Sequence, residues 1–109
     1  MVNTEIFFSV DSEESEYESI NKGYRLDVFV KLHECLYQVA VYTIVRLQQD
    51  FDTEISDSGF YLPDTNLIFA KESSKDEIVK TINWLVGQKY FEKLKSLSNT
   101  DIVELVKVQ

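Results

Sequence analysis

Acid–base chemistry near neutral pH usually recruits histidine, and this chain of 109 residues has one, His33, two positions before its only cysteine, Cys35. Residues two apart in an extended chain share a side, so the pair is a conceivable nucleophile and base. It falls, however, in the short connection of an expected hairpin, and a tight turn offers neither a pocket nor oxyanion donors. As zinc ligands, the two lack a third and a fourth partner. The closest approach to a calcium loop is Asp50-x-Asp52-x-Glu54, which lacks the loop's glycine and its terminal glutamate. Glycine occurs only at positions 23, 59 and 87, so no phosphate-cradling loop can be built. Paired carboxylates for glycoside hydrolysis need a deep cleft, which a chain this short with one tryptophan is not expected to form. That tryptophan, Trp84, stands beside Leu85 on an expected helix and reads as core or core edge. The residues therefore point to a non-enzyme with no metal and no cofactor.

Charge carries more information. Acidic residues number 19 against 11 basic, a net charge of −8, in a chain that is 44% hydrophobic and 28% charged. Such a composition is globular, and the length suits a single domain over residues 1–109. The negative balance lies in the first two thirds: residues 1–70 hold four basic and thirteen acidic side chains, whereas residues 71–109 hold seven and six. Two runs contain no positive charge. One holds Asp11, Glu13, Glu14, Glu16 and Glu18 around Tyr17; the other holds Asp50, Asp52, Glu54, Asp57 and Asp64 with Phe51, Phe60 and Tyr61. A run of like charge is often only a solvated face. Aromatics interleaved with charge are also the composition of interface anchors. Asp11, Glu13, Glu14, Glu16, Tyr17, Asp50, Asp52, Glu54, Asp57 and Phe60 are therefore the candidate partner-binding residues. An acidic surface is repelled by phosphate backbones, which disfavours direct nucleic-acid binding, and attracted to basic proteins.

A lone cysteine rules out an internal disulfide. The opening MVNTEIFFSV lacks the features of a secretory leader, and the longest strongly apolar stretch, Val39 to Val45, is far too short to span a bilayer. A cytoplasmic protein without membrane contact is the expectation.

The elements that must position these residues follow from periodicity. Val2 to Val10 reads as a strand. Asp11 to Asn21 is a loop or a short, weakly docked helix closed by Gly23. Tyr24 to Leu32 alternates, with Leu26, Val28, Val30 and Leu32 facing one way. Leu36 to Gln48 is a second β pattern, joined to the first by a hairpin connection at His33-Glu34-Cys35. Asp50 to Gly59 reads as a polar connection, followed by short strands at Phe60–Leu62 and Asn66–Lys71 around a turn at Pro63-Asp64. Ser74 and Glu77 form a capping-box signature ahead of Ile78, Ile82 and Leu85 at helical spacing, with Gly87 as the stop. Gln88 to Ser98 reads as a second helix. Asp101 to Val108 suits helix or strand. Strands followed by helices make an α+β domain: an antiparallel sheet of four to five strands with C-terminal helices on one face. The other face would carry Arg25, Asp27, Phe29, Lys31, Gln38, Tyr42 and Arg46. A long edge strand there could pair across a homodimer.

In style, the stretches YRLDVFVKL (24–32), LYQVAVYTIVRLQQ (36–49) and NLIFAKESSKDEIVKTINWLVG (66–87), together with the acidic runs, resemble the small immunity proteins of bacterial contact-dependent growth inhibition and related polymorphic toxin systems. That resemblance carries no residue-specific motif. It implies a cytoplasmic bacterial inhibitor that covers the active or substrate-binding surface of a cognate toxin domain, many of which are basic nucleases. A second, partial resemblance is to the SecB-type export chaperones. LYQVAVYTIVRL, GFYL, NLIFAKE and GQKYFEKLKSL follow that family's order over residues 36–108, although the family's prolines are absent around Asn66–Lys71 and after Gly87. It implies an oligomeric holdase. A third reading of the charge is an acidic mimic of nucleic acid.

Overall fold

Alternation from Val28 to Leu32 makes the strand Tyr24–Leu32 the centre of the sheet in the computed structural model, which describes residues 4–60, 66–97 and 104–109. In chain order the elements are β1 (Thr4–Phe8), α1 (Glu13–Lys22), β2 (Tyr24–Leu32), β3 (Cys35–Tyr42), α2 (Ile44–Ser58), β4 (Leu67–Phe69), α3 (Lys75–Gly87), a 3-10 turn (Tyr90–Lys93) and β5 (Val106–Lys107). The strands lie in the order β4-β3-β2-β1-β5. The fold is α+β. All neighbouring strands run antiparallel except β3 and β4, which are parallel. The parallel pair arises because a helix, α2, intervenes between them and carries the chain back to the end from which β3 started.

One face of the sheet is the core. Ile6 and Phe8 of β1, Val28 and Val30 of β2, Val39 and Val41 of β3 and Ile68 of β4 pack under Ile78 and Ile82 of α3 and Phe91 of the 3-10 turn. Removing each of these side chains from water contributes roughly 1.5–3 kcal/mol, so the sheet and α3 form the stable body that carries everything else. Ser74 caps α3 through the Glu77 amide, as its spacing predicts.

The second β pattern stops earlier than alternation suggests. β3 ends at Tyr42, and Thr43 turns the chain into α2: its side-chain oxygen accepts from the Arg46 amide. Val45 and Leu47, in phase as strand residues, are helical, and the expected polar connection from Asp50 to Gly59 is the rest of the same helix. β-branched Ile44 and Val45 are tolerated in a first turn because the cap supplies the hydrogen bond that a strand ladder would otherwise give. Gly59 ends α2 in the left-handed conformation (φ 85°), its amide bonded to the Ile55 carbonyl.

Other expectations are corrected in detail. Leu26 does not face the core with Val28, because a bulge between Arg25 and Val28 shifts the register and brings Arg25 inward in its place. α3 runs through Gly87, and Lys89 takes the left-handed backbone instead (φ 61°). The second C-terminal helix is a single 3-10 turn, after which the chain extends and the Leu97 amide bonds the Leu36 carbonyl. Trp84 is 64% exposed rather than core, since Ile78 and Ile82 point α3 at the sheet and leave position 84 outside. The strand alternative holds at Val106–Lys107. Residues 61–65 and 98–103, including the turn at Pro63-Asp64, the end of the strand expected at Phe60–Leu62 and part of the expected tail element, lie outside the described residues.

Candidate protein-binding surface

Both acidic runs lie on helices, and the fold treats them differently. α1 opens with Ser12, which exchanges capping hydrogen bonds with Ser15, and its first turn holds Glu13, Glu14 and Glu16. Acidic side chains there oppose the positive end of the helix dipole. Glu16 also reaches across to α3, where its carboxylate accepts from the Lys75 amide at 2.6 Å. Asp11 pairs with the Lys75 ammonium at 3.2 Å. Ser19 and Ser73 then donate to each other's carbonyls, both at 2.6 Å and buried. Contrary to the weak docking expected of it, α1 is pinned to the start of α3. Asp11 and Glu16, two candidate binding residues, are thereby engaged inside the fold. Glu13, Glu14 and Tyr17 remain exposed, Tyr17 by 69%.

The route into α1 is held by the charge that the bulge brings inward. Arg25 is 5% exposed, stacks 3.8 Å over the Phe8 ring, donates to Asp27 at 2.7 Å and reaches the Val10 carbonyl. Ser9 donates to Asp27 through its hydroxyl and its amide. Partial burial alone would raise the Asp27 carboxyl. The hydrogen bonds from Arg25 and Ser9 and the Arg25 charge outweigh that and hold it below the usual 3.8. Arg25 and Asp27 are thus a structural pair and not part of a polar outer face, while Arg46, also expected on that face, belongs to α2.

α2 is different. None of its residues is buried. Its attachment is at the first turn, where Arg46 lies 4.8 Å over the Tyr24 ring and pairs with Asp50 at 3.1 Å. Gly23 (φ 77°) lets this junction close: the Thr43 amide bonds the Gly23 carbonyl at 2.8 Å. A Cβ on Gly23 would sit 2.9 Å from the Thr43 hydroxyl and 3.0 Å from the Arg46 Cβ. Beyond Asp50 the helix carries Asp52, Glu54 and Asp57, all exposed and without an ion-pair partner among the described residues. Phe60, just past the helix, is 66% exposed. No hydrogen bond or ion pair among the described residues links the acids of α1 to those of α2.

The residues that sequence reasoning missed are apolar. Ile44, Leu47, Phe51 and Ile55 recur at helical spacing along α2, with Ile44 65% and Ile55 39% exposed. The spacing was readable, but the adjoining β pattern absorbed its first half.

His33 and Cys35 are both exposed at the hairpin. No group of three or more metal-ligating side chains occurs among the described residues. A shallow cleft of about 440 Å³ beside β3 is lined by Leu26, Gln38, Asn66 and Lys95 among others. Another, of about 320 Å³, lies where α1 meets α2. The described lining residues of both include no histidine or cysteine. No helix among the described residues is long and apolar enough to cross a membrane. No protein-family model matches the chain, and neither a curated protein nor a solved structure is significantly similar to it.

Proposed function

We propose that this chain is a binding protein, not an enzyme, and that it acts as an immunity-type inhibitor: it covers the active or substrate-binding surface of a basic toxin domain of the nuclease class. The observation that carries the reading is the placement of Asp52, Glu54 and Asp57 on a helix with no buried residue. Carboxylates held out from the body on α2 are suited to steering a basic partner and to competing with nucleic acid for its surface. The expected resemblance to immunity proteins supplies the biological class, and the charge supplies the partner's sign.

Co-expression with the toxin encoded beside its gene should restore growth, and the purified pair should associate at a rate that falls steeply with added salt. Absence of any complex at low salt would sink the reading.

A further inference from the structure

We propose that α2 is itself the docking element, entering by its apolar stripe an apolar groove of the partner whose rim carries lysine and arginine side chains. This rests on the reading of the chain as a binder of a basic protein. At about 100° of rotation per residue, Ile44, Leu47, Phe51 and Ile55 fall within a sector of about 80°. Arg46, which leans on Tyr24 and crowds Gly23, lies on the opposite side of the helix. The side of α2 that touches the body, marked by half-buried Arg46 and Asp50, therefore meets the stripe only at its edge, where Leu47 is half-buried, and leaves Ile44 and Ile55 turned outward. Ile44, Leu47 and Ile55, at i, i+3 and i+11, keep the spacing of a helix laid into a groove.

The borders of the stripe select the occupant. Asp50, Glu54 and Asp57 follow one border and Asp52 the other, and the one cation of the helix, Arg46, already pairs with Asp50. A second copy of the chain would bring two such rows of carboxylates together along one seam, which like-charge repulsion opposes. A groove rimmed with cations meets the same borders with favourable charge on both sides. In this arrangement the carboxylates set the rate and register of encounter, and Ile44, Leu47 and Ile55 hold the complex together.

The test uses the full chain, the purified toxin domain encoded beside its gene, and poly-lysine as a probe of charge alone. Leu47→Ala and Ile55→Ala should each weaken toxin binding about 10-fold or more, mainly through faster dissociation. Ile55→Met should keep most of the affinity. Trp84→Ala, on α3, should change nothing. Poly-lysine binding should respond to the triple change Asp52→Asn, Glu54→Gln and Asp57→Asn and ignore Ile55→Ala. Circular dichroism should be the same for the Ile55 and carboxylate variants, since those positions are exposed, and an unchanged urea midpoint should show that Leu47→Ala, at a half-buried position, is folded. If the toxin binds wild type and both alanine variants equally, the docking proposal is overturned while the inhibitor reading stands. If wild type fails to bind the toxin at low salt, both are lost. If sedimentation finds a dimer that Ile55→Asp dissociates, the stripe belongs to a second copy and the proposal is overturned.

Discussion

The two acidic helices start from similar sequence and end in opposite situations. α1 is built into the molecule: Glu16 satisfies an amide of α3, Asp11 holds Lys75, and Ser19 trades hydrogen bonds with Ser73. α2 meets the body mainly at its start, where Arg46, Leu47 and Asp50 are half-buried, and none of its residues is fully buried, although it is longer and carries more apolar residues. Hydrophobicity alone would have predicted the reverse. The difference teaches that a short polar helix is docked by specific hydrogen bonds at buried positions, which are costly to leave unmade. An amphipathic helix whose apolar side faces away from its own core gains nothing from that core. A net charge of −8 is thus divided into acid that serves the fold and acid that is free for a partner.

The contrast can be broken most severely at Arg25. Arg25→Ala should cost about 2–4 kcal/mol in urea unfolding, because Asp27 loses its buried partner and the Val10 carbonyl its donor; a loss below about 1 kcal/mol would mean that the approach to α1 is held by something else. The same pair gives a pH dependence. With the folded Asp27 value below 3.8, its contribution to stability is complete above that value and is lost as pH falls through the folded value. Asp27→Asn should accordingly flatten the acid limb of the urea-midpoint profile.

Gly23→Ala strikes the point where the two helices meet and should cost about 2 kcal/mol, through its positive φ and the crowding of Thr43 and Arg46. Chemical denaturation would read this directly, and a neutral result would show that the junction can open without penalty. Glu16→Ala should cost about 1 kcal/mol, the usual worth of a lost helix-terminal partner. The smallest effect sharpens the comparison most. Asp52→Asn, Glu54→Gln and Asp57→Asn should each change stability by less than about 0.5 kcal/mol, while slowing association with a basic partner. A larger loss of stability would mean that α2's acids also serve the fold.

Much of this was legible in the residues. Alternation gave β2 and its hairpin, Gly23 marked the end of α1, and Ser74 with Glu77 marked the start of α3. Each of these signals is local. α2 is hidden because Val39 to Leu47 reads as one continuous β pattern rich in β-branched residues, and Thr43, at which the strand gives way to the helix, suits strands as well as helix caps. Alternation puts Arg25 on the outer face, and the bulge that turns it inward leaves no mark in the sequence pattern. The proposed binding surface is half legible: its carboxylates stand out in the charge count. The apolar stripe beside them emerges only once residues 44–58 are known to be helical.

The attachment of α2 near its start, through Thr43 and the Arg46 guanidinium over Tyr24, has a mechanical consequence. Fifteen residues at 1.5 Å each make an arm about 22 Å long, which starts where β3 stops and whose far end leads on to β4. A swing of about 10° at that start would carry the far tip through about 4 Å. Such leverage would let one rigid body offer the same carboxylates to cavities of differing depth and tilt.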